Sequence, residues 1–258
     1  MILVDTGFCP NVSRNCLKDE YTKANKITIC HKFAEKPPVC QGKERRQRFC
    51  IDTYEYPNKK GARSPVMVDW HDAMAICQGD GKRLCYESEW TAACEGPDKL
   101  PFPYGYTRDP TKCNINNPYV EPSLERMYSK NPAIFDPELT HLDQGVPSGS
   151  REGCVSGFGV HDQPGNVDEW VILDTPRGKG GSAGLKGGAW GYVRNACRPV
   201  TTSHAAEFTY YFVSFRCCAD AKPGGAAEPT PWAHPPLPKS RKTPETAFRG
   251  WTPKTKED

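Results

Sequence analysis

Thirteen cysteines in 258 residues constrain this chain more than any other sequence feature. A reduced protein would use so many cysteines to bind metal, which favours closely spaced Cys-x-x-Cys pairs, and the sequence contains none. Apart from the adjacent Cys217 and Cys218, the cysteines are dispersed. They therefore predict disulfides formed in an oxidising compartment. The odd total leaves at least one thiol free or paired with another chain.

The first residues, MILVDTGFCP, show no basic segment, apolar stretch or cleavage site typical of a signal peptide. We therefore expect that a leader was removed or is not included, and that the protein is secreted or periplasmic. No run of about 20 apolar residues occurs, so no transmembrane helix is expected. The net charge of +3 is concentrated after residue 220, and the balanced remainder argues against a nucleic-acid partner.

Composition divides the chain into three zones. Residues 1–49 are rich in lysine and cysteine and predict a disulfide-tied N-terminal lead-in. Residues 50–220 form the body. Residues 221–258 are rich in proline and poor in β-branched residues, which predicts an extended or disordered tail. This tail could bind a protein partner, and its Trp232, Phe248 or Trp251 could dock on the body.

Two short helices and several short strands are predicted in the body. Apolar spacing followed by glycine or proline indicates helices over residues 70–77 and 87–94. Candidate strands cover residues 49–54, 169–173, 183–190 and 210–218. Together with 23 glycines and 25 prolines, this pattern predicts an α+β fold with much irregular structure.

Six sequence blocks in the body occur in the order found in the formylglycine-generating-enzyme, or sulfatase-modifying-factor, family, which the chain resembles. The blocks are IDTYE with PVMVDWHDA (51–55 and 65–73), GKRLCYESEW (81–90), FPYG (102–105), FGVHDQPGNVDEW (158–170), LKGGAW (185–190) and SFRC (214–217). The resemblance implies an irregular sulfatase-modifying-factor fold, related in shape to C-type lectins. The family includes formylglycine-forming oxidases, ergothioneine-type sulfoxide synthases, the pyoverdine-maturation enzyme and non-catalytic paralogues, so it does not fix the function.

The resemblance implies calcium binding by the D-x-x-G-x-V-x-E stretch, because hard cations take several oxygen ligands. The matching positions are Asp162 and Glu169 with the carbonyl groups of Gly165 and Val167. The alternative is a loop held by Asx-type hydrogen bonds, with Glu169 as a surface carboxylate. A second calcium site of the family begins at an Asn-Ile pair, matched by Asn114 and Ile115, with Asp143 as a poorly spaced partner.

The resemblance also implies disulfides. The cysteine closing the first helix pairs in the family with the one after the Phe-Arg motif, which corresponds to Cys77–Cys217. A second family bridge corresponds to Cys94–Cys197. Two further pairings, Cys113–Cys154 and Cys85–Cys218, are predicted beyond the family pattern.

The copper site of the family is where this sequence departs from it. The oxidases bind Cu(I) through two cysteines spaced C-x-x-x-x-C after the Gly-Gly turn. One alignment puts Tyr192 and Cys197 at these positions, and another makes Cys197 a structural cysteine. In both, the two-thiolate site is absent, so formylglycine formation by that mechanism is not expected. The H-x-x-x-H-x-E iron motif of the sulfoxide synthases is also missing.

A polar loop lies where the family builds its pocket. His204 and Glu207 could bind iron or copper together with His71 or His161, and His204 could instead act as a general base or cap a surface turn. Two functions follow. The first is an exported O₂- and metal-dependent oxidoreductase acting on a peptide or small molecule. The alternative is a non-catalytic, calcium-stabilised binding or structural module of an extracellular assembly.

Overall fold

Short strands and four helices, joined by long loops, make up the computed structural model, which describes residues 1–221 and 250–253. The strands are β1 (Ile2–Phe8), β2 (Val12–Ser13), β3 (Cys16–Thr22), β4 (Ile27–Phe33), β5 (Val39–Cys40), β6 (Arg45–Ile51), β7 (Arg83–Leu84), β8 (Asp168–Ile172), β9 (Ala183–Lys186), β10 (Val200–Thr201), β11 (Val213–Phe215) and β12 (Cys217–Asp220). The helices are α1 (Trp70–Gly79), α2 (Glu87–Glu95), α3 (Leu124–Met127) and α4 (Pro132–Leu142).

Two four-stranded sheets support the body, with strand orders β1-β6-β12-β7 and β10-β9-β8-β11. Strand β8 is central in the second sheet and all five of its residues are buried. It pairs in parallel with β11, which places Trp170 opposite Phe215. The indole N–H of Trp170 donates to the Val68 carbonyl at 2.9 Å, and that of Trp70 donates to the Val171 carbonyl at 3.0 Å. These bonds satisfy the polar atoms of two large core side chains.

Both predicted helices are confirmed, and local contacts explain where they begin. The Asp69 side chain accepts a hydrogen bond from the Asp72 N–H at 2.8 Å and caps α1. At the start of α2, the Glu89 carboxylate accepts from the Tyr86 N–H at 2.9 Å and from the Arg83 guanidinium at 2.7 Å. Helices α3 and α4 were not predicted. In α4 only Glu138, Leu139 and Leu142 are buried, so it has no continuous apolar stripe.

Strands form in all four predicted segments, with different bounds. The predicted strand over 183–190 ends at Lys186, because Gly187 and Gly188 take positive φ angles of 95° and 64°. The segment over 210–218 divides into β11 and β12, and the residue between them, Arg216, directs its guanidinium to the buried Glu169.

The N-terminal zone belongs to the same sheet as the body. Its expected boundary after residue 49 falls inside β6, which pairs with β1 on one side and β12 on the other. Two antiparallel strand pairs lie outside this sheet: the hairpin β3-β4, and β2-β5, which encloses it in the chain. Cys16–Cys30 joins β3 to β4, and Cys9–Cys40 joins the segment before β2 to β5.

Most of the expected tail, including Trp232 and Phe248, lies outside the described residues. Within the described part, Trp251 pairs with Val66 through two backbone hydrogen bonds of 2.7 and 2.8 Å. Its side chain packs against the cluster that contains Met67 and Trp190. Trp251 therefore docks on the body.

Six disulfides are present, which confirms the disulfide-rich α+β class. The four expected bridges, Cys77–Cys217, Cys85–Cys218, Cys94–Cys197 and Cys113–Cys154, all form. Cys50 on β6 is the free cysteine.

Candidate functional site

The Gly-Gly turn after β9 joins the two loops on which the expected sites lie. A Cβ atom on Gly187 would lie 2.3 Å from the Gln163 carbonyl oxygen, so only glycine permits this approach. The Gly187 carbonyl accepts from the Gly165 N–H, and the Gly188 N–H donates to the Asp168 carboxylate at 3.2 Å. The turn therefore holds the loop 162–169 against the segment that leads to Cys197.

The position of the family's copper cysteines carries no thiolate pair. Cys197 is buried and bonded to Cys94. The Tyr192 hydroxyl donates to the Glu20 carboxylate at 2.7 Å and lies 3.1 Å from Nε2 of His31. All thirteen cysteines lie in the described residues, and only Cys50 remains unbridged. A two-thiolate centre cannot form while these bridges are intact.

His204 and Glu207 have different neighbours. The His204 ring stacks on Phe208 with ring centroids 3.8 Å apart, and burial with the nearby Lys179 lowers its pKa. The Glu207 carboxylate is 72% exposed and lies 3.4 Å from Nε2 of His71. Within residues 1–221 and 250–253, no three His, Cys, Asp or Glu side chains are grouped to hold a metal ion.

His161, the other histidine considered as a third ligand, lies in an aromatic contact. Its ring stacks on Tyr54 with centroids 5.0 Å apart, and burial lowers its pKa. Its carbonyl oxygen accepts from the Arg216 guanidinium at 2.9 Å. Burial and the ring contact thus pack the imidazole against Tyr54 and favour its neutral form.

The loop expected to bind calcium is deeply buried at both acidic positions. Asp162 has a φ of 58° and accepts the Gly149 N–H at 2.6 Å. Glu169 is fully buried, so it is not a surface carboxylate. Both of its oxygens accept from Arg216 at 2.7 Å, and one also accepts from the Trp90 indole at 2.8 Å. A calcium ion here would depend on the carbonyl oxygens of Gly165 and Val167 as well as these carboxylates.

Glu55 joins this cluster, and sequence reasoning did not single it out. It is fully buried and accepts hydrogen bonds from Ser64, Ser148 and Asn166. Burial, with the neighbouring Asp162 and Glu169, raises the pKa of Glu55 to about 8. Burial also raises the pKa of Asp162 to about 6. Burial and mutual repulsion therefore favour the protonated forms of Glu55 and Asp162 beside the one guanidinium of Arg216.

The second expected calcium set is engaged in loop contacts. The Asn114 side-chain amide donates to the Gln144 carbonyl and to the Asn166 side-chain oxygen, both at 3.0 Å. Ile115 is buried. Asp143 forms an ion pair with Arg63. Calcium at this second position stays a prediction.

These features define a disulfide-rich α+β domain with little regular structure and a Gly-Gly turn that carries no thiolate pair. The family model described as the sulfatase-modifying factor enzyme 1-like domain matches residues 15–221. The chain therefore belongs to this family.

Comparisons with individual proteins agree with this assignment. The chain is 26% identical over 184 residues to the formylglycine-generating enzyme of Mus musculus, covering 62% of this chain and 45% of that one. It is 26% identical over 167 residues to the inactive C-alpha-formylglycine-generating enzyme 2 of Bos taurus, covering 60% and 50%. The chain thus spans about half the length of the curated relatives it matches. The crystal structure of CarF shares the fold with a TM-score of 0.51 at 13% identity, over 86% of this chain and 98% of CarF.

Two features bear on where the protein works. Six disulfides are typical of proteins kept outside the reducing cytosol, and they indicate a non-cytoplasmic protein. The longest helix in the described part of the chain has 11 residues, and none there has the length and apolar character to cross a bilayer.

Proposed function

We propose that this chain is a non-catalytic binding module of the sulfatase-modifying-factor family and that it does not generate formylglycine. The observation that carries the proposal is the pairing of the cysteines. Cys197 is bonded to Cys94, Tyr192 occupies the other aligned copper position, and Cys50 is the one unbridged thiol. Cu(I) needs soft thiolate ligands, so this arrangement cannot hold it in the family's manner.

Two further observations support the proposal. One relative is itself named an inactive formylglycine-generating enzyme. The N-terminal hairpin also reaches the aligned copper position, where Glu20 of β3 and His31 of β4 contact the Tyr192 hydroxyl. That position is thus occupied by a hydrogen-bonded network of this chain.

A calcium ion is part of the proposed module. Bound by Asp162, Glu169 and the carbonyl oxygens of Gly165 and Val167, it would add positive charge beside Arg216 and the buried Glu55. The protein residues hold the loop without it, through the Asn166 amide and the Glu169–Arg216 ion pair. The role proposed for the ion is therefore stabilisation of the loop.

The competing function is the oxidoreductase with a metal near His204. Purified, fully oxidised protein would be incubated with a cysteine-containing peptide, oxygen and copper or iron, and aldehyde formation followed by mass spectrometry. The formylglycine-generating enzyme of Mus musculus serves as positive control. We expect no aldehyde or other oxidised product.

Two variants make this assay decisive. His204→Ala removes the candidate ligand, and His141→Ala removes an exposed histidine of α4 as the matched control. Metal-dependent oxidation that is lost in His204→Ala and retained in His141→Ala would contradict the binding-module proposal and establish the oxidoreductase.

A further inference from the structure

A pocket of about 440 Å³ lies between the N-terminal strand pairs and the segment after the Gly-Gly turn. Its volume lies within the usual range for small-molecule sites, roughly 300–1,000 Å³. Apolar side chains form part of the wall, among them Ile29, Phe33 and Phe102. The rings of Phe33 and Phe102 contact each other edge to face, with centroids 5.7 Å apart. The pocket can therefore accept an apolar group.

Four arginines also line the pocket: Arg14, Arg108, Arg194 and Arg198. Arg14 and Arg198 share one carboxylate, that of Glu95, each at 2.7 Å. Glu95 is only 3% exposed and is held by both guanidinium groups. One carboxylate therefore balances two of the four cations, and the wall keeps an excess of positive charge.

Arg108 is buried without a carboxylate partner anywhere in the described residues. Its guanidinium donates to the side-chain oxygens of Asn116 and Asn195, each at 2.6 Å from Nη2, and lies over the Tyr192 ring at 5.5 Å. Burial lowers the pKa of Arg108. A buried guanidinium that meets only neutral oxygens is costly unless an anion compensates it.

Two other arginines have donors that the fold leaves available. Nε of Arg14 is buried and, among the described residues, has no hydrogen-bond partner. Arg194 is exposed on the pocket wall and forms no ion pair within residues 1–221 and 250–253. Buried polar groups are normally satisfied, so the unpaired Nε of Arg14 points to a missing partner.

We propose that this pocket binds a small organic anion, with its carboxylate, sulfonate or phosphate group on Arg108 and Arg194 and its apolar group against Phe33 and Phe102. Guanidinium groups bind such oxyanions through paired, charge-assisted hydrogen bonds. The inference rests on the proposed binding function and names its ligand class. The experiment measures ligand binding and not oxidation. A negative result would therefore overturn this inference without bearing on the proposal that the protein does not generate formylglycine.

The test compares phenylbutyrate, phenylbutyl sulfonate and phenylbutyl phosphate with the neutral phenylbutyramide, by calorimetry on the intact oxidised protein. We expect at least one anion to bind and the neutral amide to bind at least about tenfold more weakly, because a hydrogen bond to a charged group contributes about 1.5–3 kcal/mol. Added NaCl should weaken binding of the anion and leave the amide unchanged.

Matched charge reversals locate the site. Arg194→Glu should weaken anion binding at least about tenfold by the same reasoning. Lys130→Glu makes the same charge change at an exposed position outside the pocket wall and should have little effect. No binding by any of the three anions, equal binding of the amide, or equal losses in both variants would overturn the proposal.

Discussion

The Glu169–Arg216 pair shows how single residues organise this molecule. The two residues lie 47 positions apart, in two of the six family blocks, and meet fully buried with both carboxylate oxygens bonded. The sequence predicted a calcium role for Glu169, but it did not reveal that the Arg216 guanidinium pairs with this carboxylate. Arg216 follows β11 and Glu169 lies in β8, so their contact depends on the parallel pairing of these two strands. Sequence spacing does not reveal such a pairing.

Replacing Arg216 should strongly destabilise the fold. Arg216→Met leaves the Glu169 carboxylate buried without its cation, and we expect a loss of about 3–5 kcal/mol in the free energy of unfolding. Urea denaturation of the oxidised protein measures this loss. Arg46→Met, which removes an exposed partner of Asp5, is the control and should change stability little. Equal midpoints for Arg216→Met and the unmodified protein would contradict the account.

Glu55 should make stability depend on pH. Its pKa rises from the usual 4.5 to about 8 on folding, so the folded state holds this proton more tightly. The contribution is complete below pH 4.5 and is lost as the pH rises through about 8. The Glu55→Gln variant has a side chain of similar size that does not ionise, so it should lose less stability than the unmodified protein as the pH rises through about 8. Parallel pH profiles for both proteins, from thermal unfolding, would contradict the prediction.

Calcium should offset the same loss. At pH 8, where Glu55 has begun to lose its proton, added calcium is expected to raise the unfolding temperature of the intact protein. Asp162→Ala should abolish this increase, whereas Asp19→Ala, on the N-terminal hairpin, should retain it. The absence of any calcium-dependent shift would remove calcium from the proposed function.

Among the helices and strands, those with clear sequence signals at their ends were predicted best. Helices α1 and α2 carry acidic residues in their first turns and ended where the sequence indicated, within two residues. Strands form in the four predicted segments but with different ends, because the ends depend on the turn at Gly187–Gly188 and on Arg216. Strands β1 to β5, β7 and β10 were not predicted. Helix α4 was missed because it buries few side chains. The bridges Cys77–Cys217 and Cys94–Cys197 were predicted from the family resemblance and not from local spacing.

Each disulfide should stabilise the fold according to the loop it closes while the other bridges stay intact. Cys77–Cys217 spans 140 residues, but the neighbouring Cys85–Cys218 already joins the same two segments. The loop that Cys77–Cys217 alone closes is therefore only roughly nine residues long, and Cys16–Cys30 closes one of 14. Loop-closure entropy predicts a similar loss, about 3 kcal/mol, on replacing either pair with alanine, and chemical denaturation of the two double variants measures it. A much larger loss for the Cys77–Cys217 pair would contradict this account.

At the scale of the whole molecule, segments from both ends of the chain complete the body. Strand β1 pairs with β6, and Trp251 pairs with Val66. The arginine-lined pocket lies where the N-terminal strand pairs meet the body, and composition gave no indication of it because its charges come from distant segments. Composition also could not show that the N-terminal zone shares a sheet with the body, because that pairing joins β1, β6 and β12 from distant parts of the sequence.

Trp251 should contribute to stability although it lies in the expected tail. Trp251→Ala removes a half-buried indole from the cluster that contains Met67 and Trp190. We expect a loss of about 1–2 kcal/mol, because part of the apolar area of one aromatic side chain returns to water. Tyr119→Ala, at a side chain 74% exposed, should have a much smaller effect in the same thermal unfolding assay.

The central claim is that no thiolate pair is available for copper chemistry, and counting thiols tests it most directly. Protein purified without reductant would be denatured, alkylated and mapped by peptide mass spectrometry. The account predicts one alkylated cysteine, Cys50, and a peptide pair joined through Cys94–Cys197. Alkylation of Cys197 together with a second nearby cysteine would show two available thiols and contradict the account.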